Sequence, residues 1–382
     1  MRLLISGFCI ILCTSLYSCF KDEPLNSECD ITEASVHTEA PEEMFFNPSD
    51  TLVKVRYDQN TITFNVRKRA DLTDLAPTFT LTEGATISPA NGSHHDFSQG
   101  AIEYTVTSQD GDYSRTYRVA FTPMERTVQD TLKFDFEHYR KAEKGVYYRW
   151  FEEAADGSAS DIWATGNPGF QLAFMLETDP YAYPTAPLAD GYDGMAVKLV
   201  TRDTGAFGVM GGKRIAAGNL FLGEFDPLYA LSETMKSTRF GIPFDKKPVK
   251  MTGYYKYSPG KNYQDADGNY ITGRRDSASI YSVLYLNRDD SGAPVVLYGD
   301  NVLTSDRITA VAKMAKVEPT DEWTPFEIDF EYTGPIDPEL LENYGYNIAV
   351  VFSSSYEGDK FEGAIGSTLL IDKVRVICET TE

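Results

Sequence analysis

The sequence has few of the residues on which most hydrolytic and metal chemistry depends. Its 382 residues include four histidines, three tryptophans and five cysteines. Only one histidine, His138, lies after residue 130. An active site that depends on histidine is therefore not expected in that part of the chain. There is no GxSxG motif, no glycine-rich phosphate loop, and no CxxC or Cys/His cluster. The sequence therefore lacks the usual signatures of serine hydrolases, nucleotide-binding proteins and zinc sites.

Positive charge is also scarce. Lysine and arginine together number 35 against 57 acidic residues, which gives a net charge of −22 at pH 7. Nucleic acids and anionic lipid surfaces both require clustered basic side chains, so we expect neither as a partner. Neutral sugars remain compatible with this charge. The 24 tyrosines and 22 phenylalanines, with few helical runs, are typical of secreted β-proteins.

The N-terminus predicts export and lipid anchoring. Residues 1–18 have a basic start and then an apolar stretch that is too short to span a membrane, as in a signal peptide. The sequence LYSC (16–19) resembles a bacterial lipobox, although Tyr17 replaces the usual small residue, and it predicts Cys19 as the lipid anchor. The alternative is an ordinary secretory signal. FKDE (20–23) resembles the export signal of outer-membrane surface lipoproteins of Bacteroidota. We therefore expect a lipid-anchored protein exposed on the outer membrane.

A short polar tether, residues 19–29, follows the signal peptide. Two cysteines remain once Cys9 and Cys13 leave with the signal peptide and Cys19 carries the lipid. Cys29 and Cys378 lie near opposite ends of the mature chain, in a compartment that permits disulfides. A disulfide between them and two separate thiols are both open alternatives.

Residues 30–123 predict a first β-domain. Apolar residues alternate with polar ones in TITFNVR (61–67) and AIEYTVT (101–107), so each strand has one buried face. Asp110-Gly111 is a strong hairpin signal. This pattern suits an immunoglobulin-like (Ig-like) β-sandwich without the Cys…Trp…Cys spacing of antibody domains. It resembles the Ig-like modules at the N-terminus of Bacteroidota surface lipoproteins, where they usually act as spacers.

After a polar junction at 124–130, residues 131–382 predict a second, larger all-β unit. Many alternating segments with long connections suggest a jelly-roll β-sandwich. The best helix candidate is PIDPELLENYG (335–345), in which Asp337 is a suitable cap, Pro338 suits the first turn and Gly345 is a suitable end.

Six segments of this second unit resemble the putative carbohydrate metabolism domain of Bacteroidota. They occur in order along the chain and are FDFE (134–137), WATGN (163–167), AAGNLFLGEF (216–225), GIPF (241–244), GYYKYSPG (253–260) and VFSSSYEGDKFEGAIGSTLLIDKVRV (351–376). The resemblance implies a jelly roll like those of carbohydrate-binding modules and a glycan context, with partner proteins of a glycan-uptake system. It implies no catalytic residue.

The last segment carries a lone acidic residue, Asp372, among apolar neighbours. A buried carboxylate is costly unless it is paired or bound to a metal. First and last strands of a jelly roll commonly lie side by side, which predicts Asp372 near Asp135 and Glu137, and carbohydrate-binding jelly rolls often hold a structural Ca²⁺. The alternatives are an exposed acidic edge, or a salt bridge to Lys373 or Arg375. Simple alternation places Leu370, Asp372 and Val374 on one face.

Sugar binding requires an aromatic platform and polar groups for hydroxyls. Our candidates are Trp163, Asn167, Trp150, Asn219 and Tyr254, although an aromatic residue in a β-sandwich is more often part of the core. Glycoside hydrolysis requires two carboxylates at about 5–9.5 Å, and nothing in the sequence singles out such a pair. We therefore expect glycan binding first, with a structural or adhesive surface protein and a carbohydrate-active hydrolase as alternatives. Catalysis is not favoured.

Overall fold

The computed structural model describes residues 24–45, 48–67, 70–124, 131–143, 145–153, 158–230 and 232–379. The predicted signal peptide and Cys19 lie outside these residues, as does most of the predicted junction at 124–130. No helix in the described ranges is long and apolar enough to cross a membrane. The described chain divides into two compact units, the first containing residues 24–41 and 50–122 and the second containing the remainder.

The first unit is a β-sandwich of two sheets. Its strands are β1 (Ile31–Ser35), β2 (Leu52–Lys54), β3 (Thr61–Arg67), β4 (Thr78–Leu81), β5 (Thr86–Ser88), β6 (Ile102–Thr107) and β7 (Ser114–Met124). The sheet orders are β2-β1-β4 and β3-β7-β6-β5. In β3 every second side chain is buried, as the alternation predicts, and Phe64 stacks on Phe121 with centroids 4.7 Å apart. Asp110-Gly111 lies in the turn between β6 and β7, where Gly111 has φ +77°.

The second unit contains most of the chain and is also almost entirely β. Its strands are β8 (Thr131–Phe134), β9 (Tyr139–Lys141), β10 (Tyr148–Trp150), β11 (Glu152–Glu153), β12 (Ala159–Ser160), β13 (Trp163–Ala164), β14 (Thr185–Leu188), β15 (Ala196–Val200), β16 (Arg202–Asp203), β17 (Ile215–Ala216), β18 (Asn219–Phe225), β19 (Thr238–Phe240), β20 (Ile242–Phe244), β21 (Pro248–Ser258), β22 (Tyr263–Gln264), β23 (Ser279–Leu286), β24 (Ile308–Lys313), β25 (Thr320–Asp329), β26 (Glu331–Tyr332), β27 (Tyr346–Ser353), β28 (Gly363–Ala364) and β29 (Thr368–Cys378). The helices of the described chain are short. They are α1 (Pro41–Met44), α2 (Asn167–Ala173), α3 (Gly205–Met210) and α4 (Pro338–Glu342), with 3₁₀ turns at Pro48–Thr51, Pro180–Ala182, Thr234–Ser237 and Gly358–Lys360.

Two large antiparallel sheets enclose the main core of this unit. The eight-stranded sheet has the order β13-β18-β27-β23-β24-β26, with β19 beside β18 and β20 beside β27. The six-stranded sheet has the order β14-β15-β29-β21-β25, with β8 beside β29. Side chains such as Leu199, Met251 and Ile371 from the six-stranded sheet join Ile280 and Phe352 from the other in one buried cluster. The predicted all-β class and sandwich architecture are confirmed.

The first and last strands of the second unit are neighbours, as a jelly roll requires. Strand β8 pairs antiparallel with β29, and Phe134 lies opposite Val374. Strand β29 contains a β-bulge at Lys373, whose φ is +50°. The bulge shifts the alternation, so Val374 and Val376 are buried in the core and not on the face of Asp372. The simple alternation that grouped Asp372 with Val374 is therefore wrong.

The predicted helix at 335–345 is the short helix α4. The Asp337 side chain caps it by accepting hydrogen bonds from the N–H groups of Glu339 and Leu340, and Pro338 occupies its first turn. The helix ends at Glu342, earlier than expected, and Tyr344 takes the left-handed conformation with φ +55°. Gly345 follows that turn without ending the helix itself.

Candidate functional site

The carboxylate of Asp372 is fully buried and holds a loop at the edge of the six-stranded sheet. Its Oδ2 accepts the backbone N–H of Asp193 at 3.0 Å, and its Oδ1 accepts the backbone N–H of Lys373 at 2.6 Å. Burial raises the pKa of Asp372, while these hydrogen bonds and one from the N–H of Tyr192 oppose the rise. Backbone donors therefore compensate the burial of this carboxylate.

The loop that Asp372 holds is GYDGM (191–195). A Cβ on Gly191 would lie 2.8 Å from Asp372 Oδ2, and a Cβ on Gly194 would overlap the carboxylate of Glu137. Gly194 also has φ +83°, a conformation that glycine adopts without strain. Glu137 fixes the far end of the loop by accepting the N–H of Met195 at 3.1 Å.

Lys373 and Arg375 neutralise the acidic residues around this loop. The Lys373 Nζ lies 3.5 Å from Asp135 Oδ1, 3.5 Å from Glu137 Oε1 and 3.3 Å from Asp193 Oδ2. The Arg375 guanidinium donates a hydrogen bond to Asp135. Burial tends to raise the pKa of Asp135, but Arg375 and Lys373 outweigh burial and lower it. Burial tends to lower the pKa of Lys373, but Asp193, Asp135 and Asp372 outweigh burial and raise it.

The loop presents an aromatic ring over the outer face, which is the face of the six-stranded sheet that points away from the core. Tyr192 is 47% exposed and stacks on Tyr254 of β21, with centroids 3.6 Å apart and ring planes 11° apart. Tyr254 lies opposite Asp372 on one side and Pro325 on the other. One buried carboxylate therefore positions a two-ring stack on an open sheet.

A cleft of about 590 Å³ lies beside this stack. Its lining includes Tyr254, Pro325, Glu327, Lys373 and Arg375. A further ring lies on the same two strands, where the Lys256 ammonium sits 5.3 Å from the centroid of Trp323. The outer face thus combines ring surfaces with charged and polar groups that have fixed partners, which is the combination that sugar binding requires.

The other predicted sugar contacts lie elsewhere. Trp163 and Trp150 are each 1% exposed and belong to the core, and the Trp163 Nε1 donates to Glu152 Oε1 at 2.7 Å. Asn167 is also buried and exchanges hydrogen bonds with the backbone of Thr185. We correct these three predictions, because a buried side chain offers no surface to a sugar.

Asn219, the fourth candidate, is half-buried, and its Oδ1 accepts the N–H of Gly166 at 2.6 Å. It therefore serves the local backbone. Of the five candidates, only Tyr254 lies on the outer face.

The predicted calcium ligands do not form a suitable ligand set. No group of three or more His, Cys, Asp or Glu side chains among the described residues is arranged to hold a metal ion. Asp135 and Glu137 surround the Lys373 ammonium, and Asp372 faces backbone N–H groups. The geometry favours the salt-bridge alternative, so the calcium site stays a prediction without support here.

Cys29 and Cys378 are both free thiols.

Tyr192 and Asp193 were not predicted from the sequence. An available signal was the spacing in GYDG (191–194), where two glycines enclose an aromatic and an acidic residue and indicate a tight loop. Asp276 was not predicted either. It is a buried carboxylate that accepts hydrogen bonds from Ser355 Oγ at 2.6 Å, Ser367 Oγ at 2.6 Å and the Ala364 N–H at 2.8 Å. Asp276 explains why buried serines precede and follow the glycine-rich loop at 356–366.

Comparisons with known proteins agree with this architecture. Residues 135–377 match the family model described as "Putative carbohydrate metabolism domain", and residues 44–120 match the model described as "SGBP, N-terminal". No curated protein matches the chain.

Two crystal structures are similar, each with 37% sequence identity. One is a putative glycoside hydrolase from Bacteroides thetaiotaomicron, with a TM-score of 0.80. The alignment covers 94% of this chain and 100% of the hydrolase chain. The other is a putative glycoside hydrolase from Bacteroides vulgatus, with a TM-score of 0.59. The alignment covers 65% of this chain and 98% of that hydrolase chain. The matched family model extends over more than half of the sequence, and this chain belongs to the putative carbohydrate metabolism domain family.

Proposed function

We propose that this protein binds glycan at the bacterial surface through the outer face of its six-stranded sheet. The observation that carries the proposal is the stacked pair of Tyr192 and Tyr254, with centroids 3.6 Å apart, beside the 590 Å³ cleft. Aromatic rings give large contact area at a small loss of side-chain entropy and suit the apolar faces of sugar rings. The family match and the N-terminal match to SGBP, a group of surface glycan-binding proteins, support a glycan as ligand.

The fixed charges around the cleft favour a neutral glycan. Lys373 and Arg375 already contact Asp135, Glu137 and Asp193, so little positive charge is left for an acidic sugar. The net charge of −22 adds a general repulsion of anions.

Affinity electrophoresis tests this proposal. The purified protein is run through gels that contain starch, dextran, xylan, galactomannan or pectin. We expect at least one neutral polysaccharide to retard it, and we expect Tyr254→Ala and Tyr192→Ala each to weaken binding about tenfold, which corresponds to about 1.4 kcal/mol. Tyr113→Ala is the control, because Tyr113 is 60% exposed in the first unit. No retardation by any gel, or equal retardation of all variants, would contradict the proposal.

We also propose that Cys19 anchors the protein in the outer membrane, with the first unit as a spacer and with partner proteins of a glycan-uptake system. The sequence around Cys19 supports the anchor, and the SGBP match supports the surface location. Cys19→Ala should move the protein from the membrane fraction to the soluble fraction. Resistance of the wild-type protein to protease added to intact cells would contradict surface exposure.

Hydrolysis is the second candidate function, and one specific observation favours it. Burial raises the pKa of Glu152, whereas Arg375 and Lys373 lower the pKa of the nearby Asp135. Opposite shifts on neighbouring carboxyl groups are what a glycosidase uses for its acid and its nucleophile. The two similar crystal structures are also described as those of putative glycoside hydrolases.

A reducing-sugar assay on the same five polysaccharides tests this second candidate. Hydrolysis predicts release of sugar that Glu152→Gln and Asp135→Asn each abolish, with Asp329→Asn as the matched exposed control. Release that survives both substitutions would exclude this pair as the catalytic residues.

A further inference from the structure

A second cavity lies where β21 ends and β29 begins, and we name it the rim cavity. It measures about 380 Å³, and its lining includes Gly260, Asn262, Gln264, Tyr270, Ile365 and Gly366. It shares no lining residue with the cleft of the outer face. Its volume is at the lower end of the range for ligand pockets, which suits a small ligand.

The walls of the rim cavity are fixed by the buried carboxylate of Asp276. This carboxylate accepts the Ser367 hydroxyl, which in turn accepts the N–H of Gly260 at 2.9 Å. It also accepts the N–H of Ala364 at 2.8 Å. The two chain segments that form opposite walls therefore meet at one side chain. A cavity with such walls loses little freedom when it binds a ligand.

A tight turn forms the third wall. The Asn269 N–H donates to Asp265 Oδ1 at 2.8 Å, and Gly268 has φ +86°. The turn returns the chain so that Tyr270 forms a backbone bridge with Gln264. The Tyr270 ring is 68% exposed at the mouth of the cavity. The motif DADGN (265–269) is thus an acidic turn that positions the Tyr270 ring at the mouth of the cavity.

The side-chain amide of Gln264 is the feature that points to a ligand. It is 6% exposed, and its backbone pairs with Gly363. Its side-chain amide makes no hydrogen bond to any residue in the described chain. The oxygen and nitrogen of this amide still have some contact with solvent. Because Gln264 lines the rim cavity, its donor and acceptor are open to a ligand there.

We propose that the rim cavity is a second saccharide-binding site, which takes one or two units of a neutral sugar. The amides of Gln264 and Asn262 each donate and accept hydrogen bonds, as vicinal hydroxyls require. Tyr270 and Ile365 supply apolar surface for the C–H face of the ring. Lys261 is the single charged residue in the lining, and the net charge of −22 opposes the approach of an acidic sugar.

This inference rests on the proposed function only for the class of ligand. The five residue-to-residue steps from Tyr254 to Pro259, along β21 and its end, correspond to about 17 Å of extended chain. A disaccharide is too short to bridge that span, so each disaccharide molecule occupies one site alone.

Native mass spectrometry with disaccharides separates the two sites. The probes are maltose, cellobiose, xylobiose, mannobiose and galactobiose, added to the full chain. We expect the wild type to bind two molecules of at least one probe, and Gln264→Ala and Tyr270→Ala to bind one. Because Tyr270 is mostly exposed, its substitution keeps the test valid if Gln264→Ala fails to fold. Tyr113→Ala is the control.

The outcomes separate this inference from the proposed function. A single bound molecule that Tyr254→Ala removes and Gln264→Ala retains would overturn the rim site and leave the outer face standing. A single molecule that Gln264→Ala and Tyr270→Ala remove, and Tyr254→Ala retains, would support the rim site and contradict the outer face. Binding of no probe by the wild type would overturn the rim site.

Discussion

The backbone N–H of Asp193 donates a 3.0 Å hydrogen bond to Asp372 Oδ2, although the two residues are 179 positions apart. This contact joins the last strand of the second unit to the loop that carries Tyr192. The N–H of Lys373 donates to the other oxygen of the same carboxylate. A buried acidic residue in an apolar strand is thus accounted for by the loop that it holds.

Removal of the Asp372 carboxylate should destabilise the second unit and disorder the tyrosine stack. Asp372→Ala removes the charged acceptor of the Asp193 N–H, and a hydrogen bond to a charged group contributes about 1.5–3 kcal/mol. We expect a fall of about 2 kcal/mol in the free energy of unfolding, measured by urea denaturation. The matched control is Asp193→Asn, which keeps the backbone donor and changes a side chain that is 77% exposed. Equal losses in the two variants would show that the carboxylate does not hold the loop.

Calcium should have little effect on this protein. Lys373 Nζ lies 3.5 Å from both Asp135 and Glu137, so the ammonium already supplies the positive charge that a cation would bring. We expect the same Tm in excess CaCl₂ and in EDTA, measured by differential scanning calorimetry. A rise of Tm with calcium in the wild type, absent in Asp372→Ala, would instead support the calcium site that the sequence predicts.

The Asp135 ion pairs should make stability depend on acid pH. Because Arg375 and Lys373 lower the pKa of folded Asp135 below its ordinary value of 3.8, their stabilisation is present above that value and is lost as the pH falls through the folded pKa. At pH 7, Asp135→Asn should cost about 0.5–1 kcal/mol, since the side chain is partly exposed and solvent screens the pairs.

The measurement is Tm against pH for the wild type, Asp135→Asn and the control Asp329→Asn. Asp329 is 78% exposed, and its nearest cation, Lys250, is 3.9 Å away. The gap between wild type and Asp135→Asn should narrow as the pH falls below 3.8 and close once the pH is below the lowered pKa of Asp135. A gap that is constant with pH would mean that Asn disturbs packing and that the charge of Asp135 is not responsible.

The strand pattern was predictable from the sequence, because burial alternates along β3, β21 and β29 as apolar residues do. The neighbouring positions of β8 and β29 also followed from the expected jelly roll. The bulge at Lys373 did not, since a lysine with φ +50° gives no local signal. The link between Asp193 and Asp372 depends on how distant strands are arranged, and no short-range pattern encodes it.

The exposure of the tryptophans was also not predictable from the local sequence. A ring in a turn-prone context, as in IWATGNPG (162–169), was expected to have some exposure. Trp163 is instead enclosed by Phe134 and Phe136, with centroids 5.0 and 5.4 Å away. Its indole N–H is satisfied by Glu152, so burial costs little. Sequence composition identifies aromatic residues, but only packing decides which of them face solvent.

Asp276 should be essential to the fold of the glycine-rich loop at 356–366. Its Oδ2 accepts the two serine hydroxyls and the N–H of Ala364, and its Oδ1 accepts the N–H of Ser277 at 2.9 Å. Even the isosteric Asp276→Asn cannot replace this arrangement. In one orientation its NH₂ faces the Ala364 N–H, and in the other it faces the Ser277 N–H, so two donors meet in either case.

We therefore expect Asp276→Asn to lower the free energy of unfolding by about 1–3 kcal/mol, and Asp276→Ala by at least as much, since each leaves a buried donor unpaired. Urea denaturation measures both. The control is Asp359→Asn, an exposed residue in the same loop, which should unfold at the wild-type urea concentration. If Asp276→Asn is as stable as the wild type, the serine hydroxyls have rearranged to accept from the amide, and the role of a charged acceptor is refuted. If it is destabilised while Asp359→Asn is not, Ser355 before the loop and Ser367 after it are explained as donors to one buried carboxylate.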